Sequence, residues 1–119
     1  MDNLIAWVEI PSTDFERAVN FYSGLLETKL ETIVCETEKM ACLPGNVGYV
    51  FAAPDYRPSD QGVIVSLNVG KQLDSRILFV EANGGKIVVP KTKIQCEGRG
   101  WFALFTDTEG NRLGLYGEE

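Results

Sequence analysis

The side chains best suited to catalysis are scarce in this chain of 119 residues. It has no histidine, which excludes Ser-His-Asp and Cys-His nucleophilic systems and removes the commonest ligand of zinc, iron, nickel and copper. The three cysteines, at positions 35, 42 and 96, form no Cys-x-x-Cys pair, so we expect no structural zinc site. We expect reduced thiols and a cytoplasmic protein; the alternative is a disulfide between Cys35 and Cys42 across a hairpin.

The first apolar segment combines an aromatic ring with a carboxylate. Residues 4–10 alternate as a β-strand does, so Trp7 and Glu9 point to one face and Val8 and Ile10 to the other. If Val8 and Ile10 cover the following helix, the tryptophan and the glutamate line an open groove. Such a pair suits a planar or cationic organic ligand, through ring stacking, cation–π attraction and charge.

Charge and hydropathy restrict the possible partners. Lys and Arg number 11 against 17 Asp and Glu, and the net charge of −6 disfavours contact with the phosphates of nucleic acid. The longest apolar stretch, residues 47–53, is too short to cross a bilayer, and the start lacks the charged segment and apolar run of a secretory signal. We therefore expect neither a nucleic-acid nor a membrane partner.

The elements that position these groups occur twice in the same order. Each half reads as strand, helix and three further strands, and Gly45 and Gly110 mark the turn before each final strand. A capping box of Thr13 and Glu16 is predicted at the start of the first helix. Pro90 is predicted to end the strand that follows the second helix. The predicted strands are residues 4–10, 29–35, 39–43, 47–53, 63–69, 86–89, 101–106 and 112–116.

This order predicts an α+β fold in which two tandem βαβββ modules form curved mixed sheets. Module one is predicted to span residues 1–54 and module two residues 62–119. Residues 55–61, which contain Pro58 and two aspartates and are flanked by Pro54 and Gly62, are predicted to link them within a single domain of residues 1–119.

The chain resembles a known superfamily at motifs spread over both halves. The motifs are Trp7-Val8-Glu9-Ile10, Asp14-Phe15-Glu16-Arg17-Ala18-Val19-Asn20-Phe21-Tyr22, Gly84-Gly85-Lys86-Ile87-Val88 and Asp107-Thr108-Glu109-Gly110-Asn111-Arg112-Leu113. In this order they are similar to the vicinal oxygen chelate superfamily, which includes glyoxalase I, extradiol dioxygenases and bleomycin- and fosfomycin-resistance proteins. The subgroup that the chain resembles is that of small bacterial glyoxalase-like proteins.

The resemblance implies one divalent metal ion held by His, Glu or Gln side chains from four strands. The matching positions in this chain are Trp7, a position near Gly48, Ile64 and Gly114. These side chains supply none of the nitrogen, oxygen or sulfur ligands that such an ion needs. We therefore expect the fold of the superfamily without its metal ion, and no cofactor.

The predicted ligand-binding residues lie on strand faces that the helices leave open. They are Trp7, Glu9, Tyr49, Phe51, Ile64, Ser66, Asn68 and Trp101. Gly48 and Val50 are the alternative to Tyr49 and Phe51, because the pattern of residues 47–53 does not fix which face looks into the groove.

We expect a protein that binds a small organic molecule without metal, in a groove between modules, and whether it also catalyses a reaction stays open. We also expect a homodimer, in which module one of one chain faces module two of the other. One alternative is a metal-dependent lyase or isomerase related to lactoylglutathione lyase, with acidic ligands such as Glu9 together with Glu38 or Asp107. The other is a non-catalytic accessory protein.

Overall fold

The computed structural model describes residues 4–119, so the first three residues of the predicted module one lie outside the described residues. The elements are β1 Val8–Pro11, α1 Phe15–Leu25, β2 Thr32–Val34, β3 Lys39–Cys42, β4 Gly48–Ala52, β5 Ser66–Gly70, α2 Leu73–Ala82, β6 Lys86–Lys93, β7 Trp101–Thr106 and β8 Arg112–Gly117. None of the helices in residues 4–119 is long and apolar enough to span a bilayer.

Two compact units make up the fold, unit 1 ending at Pro58 and unit 2 beginning at Ser59. Each unit contains one helix and one four-stranded mixed sheet, with strand orders β1-β4-β3-β2 and β5-β8-β7-β6. In each sheet the first strand of the unit pairs parallel with the last, and the remaining pairs are antiparallel. The predicted α+β class with two βαβββ modules is therefore confirmed.

Helix α1 begins one residue later than its capping pattern suggested. The N-cap is Asp14, whose side chain accepts a hydrogen bond from the backbone N–H of Arg17 at 3.1 Å, so the predicted capping box of Thr13 and Glu16 is wrong. The helix buries Ala18, Phe21, Tyr22 and Leu25.

Helix α1 covers one face of the unit 1 sheet. On this face the strand register aligns Ile10, Val50 and Ala41, all of which are buried. The next residue in this row is Thr32 of β2, which lines a shallow depression together with Phe15 of α1. The helix therefore lies on the Val50 side, and the opposite side is free of it.

Helix α2 covers the unit 2 sheet in the same way. A Cβ atom at Gly117 would collide with Leu73 of α2, so odd-numbered residues of β8 point toward that helix. A Cβ atom at Gly114 would instead collide with Ser66 Oγ, so even-numbered residues point away from it. The register places a buried apolar set on the helix side: Ala103, Phe105, Leu113 and Leu115.

Three details differ from expectation. β1 begins at Val8 rather than at residue 4, and β6 continues past Pro90 to Lys93. β6 is an edge strand with register shifts on both sides of residue 89, and a proline there interrupts no regular ladder. In the β2–β3 hairpin Cys35 N–H donates to the carbonyl of Glu38, and Cys42 is far along the other strand, so a disulfide between the two cysteines is wrong and both are free thiols.

Candidate functional site

The side of the unit 1 sheet away from α1 carries polar and aromatic side chains in two rows. We call this side the open face of unit 1. The first row runs across three strands from Glu9 to Tyr49 to Cys42, and the second row contains Phe51 and Met40. Glu9 is exposed and Tyr49 half-buried, so a carboxylate and a phenol are accessible side by side.

An aromatic residue beyond β4 extends this face. The ring of Tyr56 meets that of Phe51 edge to face, with centroids 5.4 Å apart and planes at 71°. Phe51 is only 6% exposed, whereas Tyr56 is 61% exposed. Phe51 thus forms a floor, and Tyr56 stands over it as an accessible ring, in a geometry that aromatic pairs prefer.

Trp7 lies immediately before β1, and its side chain is 59% exposed. The backbone N–H of the next residue, Val8, donates to the carbonyl of Val47 at 2.9 Å, so the strand pairing starts just after the tryptophan. A ring this accessible is not a core residue, and most of its surface is available for contact with another molecule.

The strand registers correct one predicted position. Ser66 pairs with Gly114 in unit 2, and the residue that pairs in the same way with Glu9 in unit 1 is Tyr49. Gly48 points to the helix side, where a Cβ atom would collide with the carbonyl of Val8. The position matching Gly114 is therefore Tyr49 rather than Gly48, and Tyr49 with Phe51, not Gly48 with Val50, lies on the open face.

Unit 2 presents its own open face, on the side away from α2. Two of the predicted residues, Ser66 and Asn68, lie in β5 and point to this face. Ile64 lies two residues before the strand begins and is 44% exposed. Asn68 Oδ1 accepts a hydrogen bond from Gly70 N–H at 3.0 Å, which ties the end of β5 into a turn. The face continues across β8, β7 and β6 with Arg112, Gly114, Tyr116, Phe102, Leu104, Thr106, Lys86 and Thr92.

Trp101 does not share a surface with Ser66 and Asn68. It pairs with Gly117, so it points to the side of the sheet that α2 covers. There Lys91 Nζ lies 5.0 Å and Lys93 Nζ 5.8 Å from the centre of its ring. The structure therefore separates Trp101 from the other predicted ligand-binding residues of unit 2, and its role here is to pack against two lysines.

The acidic residues considered as metal ligands are dispersed or engaged. Asp107 is 5% exposed, and its carboxylate accepts hydrogen bonds from the backbone N–H groups of Glu109 at 2.8 Å and Asn111 at 2.9 Å. Glu38 lies in the β2–β3 turn, far along β3 from the row that contains Glu9. Across residues 4–119, no three His, Cys, Asp or Glu side chains are grouped closely enough to hold a metal ion.

The four positions at which the superfamily resemblance implies metal ligands hold Trp7, Tyr49, Ile64 and Gly114. A phenol is the only oxygen among them, and a divalent cation needs several carboxylate, imidazole or thiolate ligands. The donor set present therefore does not fit the metal ion of the superfamily.

Two surface depressions in unit 1 lie away from the predicted ligand-binding residues. One, of about 470 Å³, is lined by Leu4, Ile5, Ala6, Val8, Gly45, Asn46 and Val47. The other, of about 370 Å³, lies between α1 and the β2–β3 hairpin. Neither contains a residue of the open face, so the argument for binding depends on the strand register and on side-chain chemistry.

Sequence reasoning missed Met40, Cys42 and Tyr56 in unit 1 and most residues of β6, β7 and β8 on the open face of unit 2, Arg112 among them. Met40 and Cys42 carried a signal, since the alternation of β3 around buried Ala41 places both on one side. Tyr56 lies in a segment predicted as a linker, and no pattern in the sequence connects it to Phe51.

Comparison with known proteins agrees with the architecture. A family model described as the Glyoxalase/Bleomycin resistance protein/Dioxygenase superfamily matches residues 4–115. A glyoxalase/bleomycin resistance protein from Albidiferax ferrireducens is similar with a TM-score of 0.74 and 16% identity, covering 98% of this chain and 100% of that one. The fosfomycin resistance protein FosX from Listeria monocytogenes is similar with a TM-score of 0.72 and 15% identity, covering 98% and 94%. A search of curated protein sequences gave no match.

Proposed function

We propose that this chain, which belongs to the Glyoxalase/Bleomycin resistance protein/Dioxygenase superfamily, binds a small planar or cationic organic molecule without a metal ion. The family membership confirms the resemblance found in the sequence motifs. The solved structures that it resembles are under 25% identical and share its fold; the ligand class is inferred from this chain's own side chains.

The open face of unit 1 carries the proposal. Exposed Glu9 pairs with half-buried Tyr49 on this face, and the exposed ring of Tyr56 stands over Phe51 in the next row. Trp7 adds a further exposed ring next to β1. Aromatic faces attract a flat cation through stacking and the ring quadrupole, and a nearby carboxylate adds charge attraction.

A titration with 1-methylquinolinium, a flat cation, tests this function, with neutral quinoline for comparison. We expect the cation to quench tryptophan fluorescence and raise the melting temperature more than quinoline does. Trp7→Ala should weaken binding of the cation by about 5-fold to 150-fold, because stacking on one ring contributes on the order of 1–3 kcal/mol. Glu9→Gln should weaken binding of the cation by about fivefold and leave quinoline unaffected.

Glu16→Gln provides the matched control, because Glu16 is also exposed but lies on α1, on the covered side of the sheet. It should leave both affinities unchanged. Binding that is indifferent to Trp7→Ala and Glu9→Gln would overturn the proposed site. A wild-type chain that binds neither compound would favour the accessory protein.

Binding without a metal ion is a separate part of the proposal. It is supported by the residues at the four positions where the superfamily resemblance implies metal ligands. We expect elemental analysis of the purified protein, after dialysis against a weak chelator, to find well under one equivalent of any divalent metal. One retained equivalent of nickel, zinc or iron would instead support a metal-dependent lyase or isomerase.

The proposal includes a homodimer. β1 and β5 each lie at one edge of their sheet, and the segments before them expose Leu4 (82%), Ile5 (65%) and Val63 (91%). Apolar residues beside an unpaired strand edge are typical of surfaces that a second chain covers. The three free cysteines are consistent with the proposed reducing, cytoplasmic location.

Light scattering at micromolar concentration measures the mass of the assembly. For the wild type we expect a mass twice that of the 13.2 kDa chain. For the double variant Leu4→Asp/Val63→Asp we expect a lower mass, closer to that of the monomer. Leu78→Asp is the control, since Leu78 is 67% exposed on α2 rather than beside a strand edge. A wild-type mass near that of one chain, unchanged on concentration, would disprove the dimer.

A further inference from the structure

The open face of unit 2 contains a row of two cations flanking a hydroxyl. In the strand register Lys86 of β6 pairs with Thr106 of β7, and Thr106 pairs with Arg112 of β8. Because paired residues in a sheet point to the same side, all three side chains project from the face that α2 leaves uncovered. Positive charge is thus concentrated at one end of this face in a chain whose net charge is −6.

Arg112 shows a second, independent feature. Its Nε atom is buried and has no hydrogen-bond partner among the residues that the structure describes. An unpaired buried donor on a charged group is costly, and such groups in folded proteins are normally bound to a carbonyl, a carboxylate or a ligand. The guanidinium is a planar group with several N–H donors, and it can bind a carboxylate in a bidentate manner.

The nearest acidic residues along the chain are engaged elsewhere. Asp107, five residues before Arg112, accepts hydrogen bonds from the N–H groups of its own turn. Glu109 accepts a hydrogen bond from the hydroxyl of Thr108 at 2.9 Å. These contacts direct the carboxylates into the β7–β8 turn and leave the row of Lys86, Thr106 and Arg112 as a cationic surface.

Next to this row the face becomes apolar. Gly114 follows Arg112 on the same side of β8 and has no side chain, and a Cβ atom there would lie 3.3 Å from Leu104. The hydroxyl of Ser66 lies over this glycine, and the rings of Tyr116 and Phe102 form the row beyond it. A flat apolar body can pack against Leu104 and these two rings.

We propose that the open face of unit 2 binds the carboxylate or sulfonate group of a small organic anion, with Arg112 as its main ligand and Lys86 as an auxiliary one. The apolar part of the anion lies along Leu104 and the rings of Phe102 and Tyr116. This inference goes beyond the proposed function, since it assigns a different class of ligand to the other open face.

Isothermal titration with 2-naphthoate and its neutral analogue 2-naphthamide tests the inference. We expect the wild type to bind naphthoate at least about tenfold more tightly than naphthamide, because hydrogen bonds to charged groups are the stronger class. Arg112→Met should abolish this preference, and Lys86→Met should reduce it. Arg112→Lys keeps the charge but loses the planar fork, so it should restore only part of the preference.

Lys71→Met is the matched control, because it removes one positive charge from an exposed position in the turn after β5. It should leave the preference for naphthoate intact, and circular dichroism should show that every variant is folded. Equal affinity of the wild type for naphthoate and naphthamide, or a preference that survives Arg112→Met, overturns the inference and leaves the proposed function standing.

The three compounds together distinguish failure of the anion site in unit 2 from failure of the proposed function. If neither naphthyl compound binds while 1-methylquinolinium still binds in a manner that depends on Trp7, the anion position alone is wrong. If none of the three compounds binds, the proposed function fails and the inference fails with it.

Discussion

The turn between β7 and β8 is held by one buried carboxylate. Asp107 Oδ1 accepts hydrogen bonds from the backbone N–H groups of Glu109 and Asn111, and Oδ2 accepts one from Asn111 Nδ2 at 3.0 Å. Asn111 is itself only 6% exposed, and its side-chain oxygen accepts a hydrogen bond from Ser59 N–H at 3.3 Å. The carboxylate therefore fixes the path of the chain into β8, which carries Arg112.

Replacing Asp107 by alanine leaves these donors without their acceptor. An unsatisfied buried donor costs roughly 1–3 kcal/mol, and at the surface of a turn part of that cost is recovered through water. We expect Asp107→Ala to lower the free energy of unfolding by about 3 kcal/mol. Asp107→Asn keeps Oδ1 for the two backbone donors but sets an amide against the amide of Asn111, so we expect it to cost about 1–2 kcal/mol.

Urea unfolding followed by circular dichroism measures both losses at constant slope. Asp60→Ala removes the same charge from an exposed residue whose carboxylate accepts a hydrogen bond from Gln61 Nε2 at 3.3 Å. It should change stability by less than about 0.5 kcal/mol. The reasoning is refuted if Asp107→Ala costs no more than Asp60→Ala, or if the asparagine variant is as unstable as the alanine variant.

Three further substitutions test the packing of the two sheets. Gly48→Ala should destabilise the fold by more than about 3 kcal/mol, measured by urea unfolding, because its Cβ would collide with the backbone carbonyl of Val8; a loss below 1 kcal/mol would contradict the β1–β4 register. Arg112→Met should leave the melting temperature unchanged or raise it, because an apolar side chain has no buried donor to satisfy; a fall of several degrees would show that the guanidinium has a structural partner. Asp74→Ala should cost less than about 1 kcal/mol, since this partner of Lys91 is 78% exposed, and a double-mutant cycle with Lys91→Met should give a coupling of the same small size.

Much of the fold is predictable because the turns and the helix faces carry strong local signals. Gly45 and Gly110 have positive φ angles of 85° and 94°, which glycine adopts at no steric cost, and they mark both hairpins correctly. The predictions fail where two neighbouring residues suit the same structural position equally well. Thr13 and Asp14 are both good N-caps, and only the backbone conformation shows that Asp14 is the cap. Pro90 was read as a stop because the sequence does not show that β6 is an edge strand.

The candidate site was predictable where one face of a strand is apolar and the other is not. In β1 the alternation sets Glu9 apart from Ile10, and the structure places them on opposite faces. The sequence of β7 is Trp-Phe-Ala-Leu-Phe-Thr, which is apolar on both faces of the strand. Alternation therefore does not show which of its residues face the helix and which face away from it. The face of Trp101 is decided by pairing with Gly117, a contact distant in sequence, so the sequence leaves open which face of residues 101–106 looks into the groove.

The two modules show how one topology supports different chemistry. Equivalent registers place Tyr49 opposite Glu9 in unit 1 and Gly114 opposite Ser66 in unit 2. Unit 1 therefore places a phenol beside a carboxylate at the centre of its open face, whereas in unit 2 the hydroxyl of Ser66 lies over the glycine. The charge follows the same division, because residues 1–58 contain nine acidic and four basic side chains and residues 59–119 eight and seven. Since the strand order fixes only which positions face outward, the two open faces carry different side chains on the same topology.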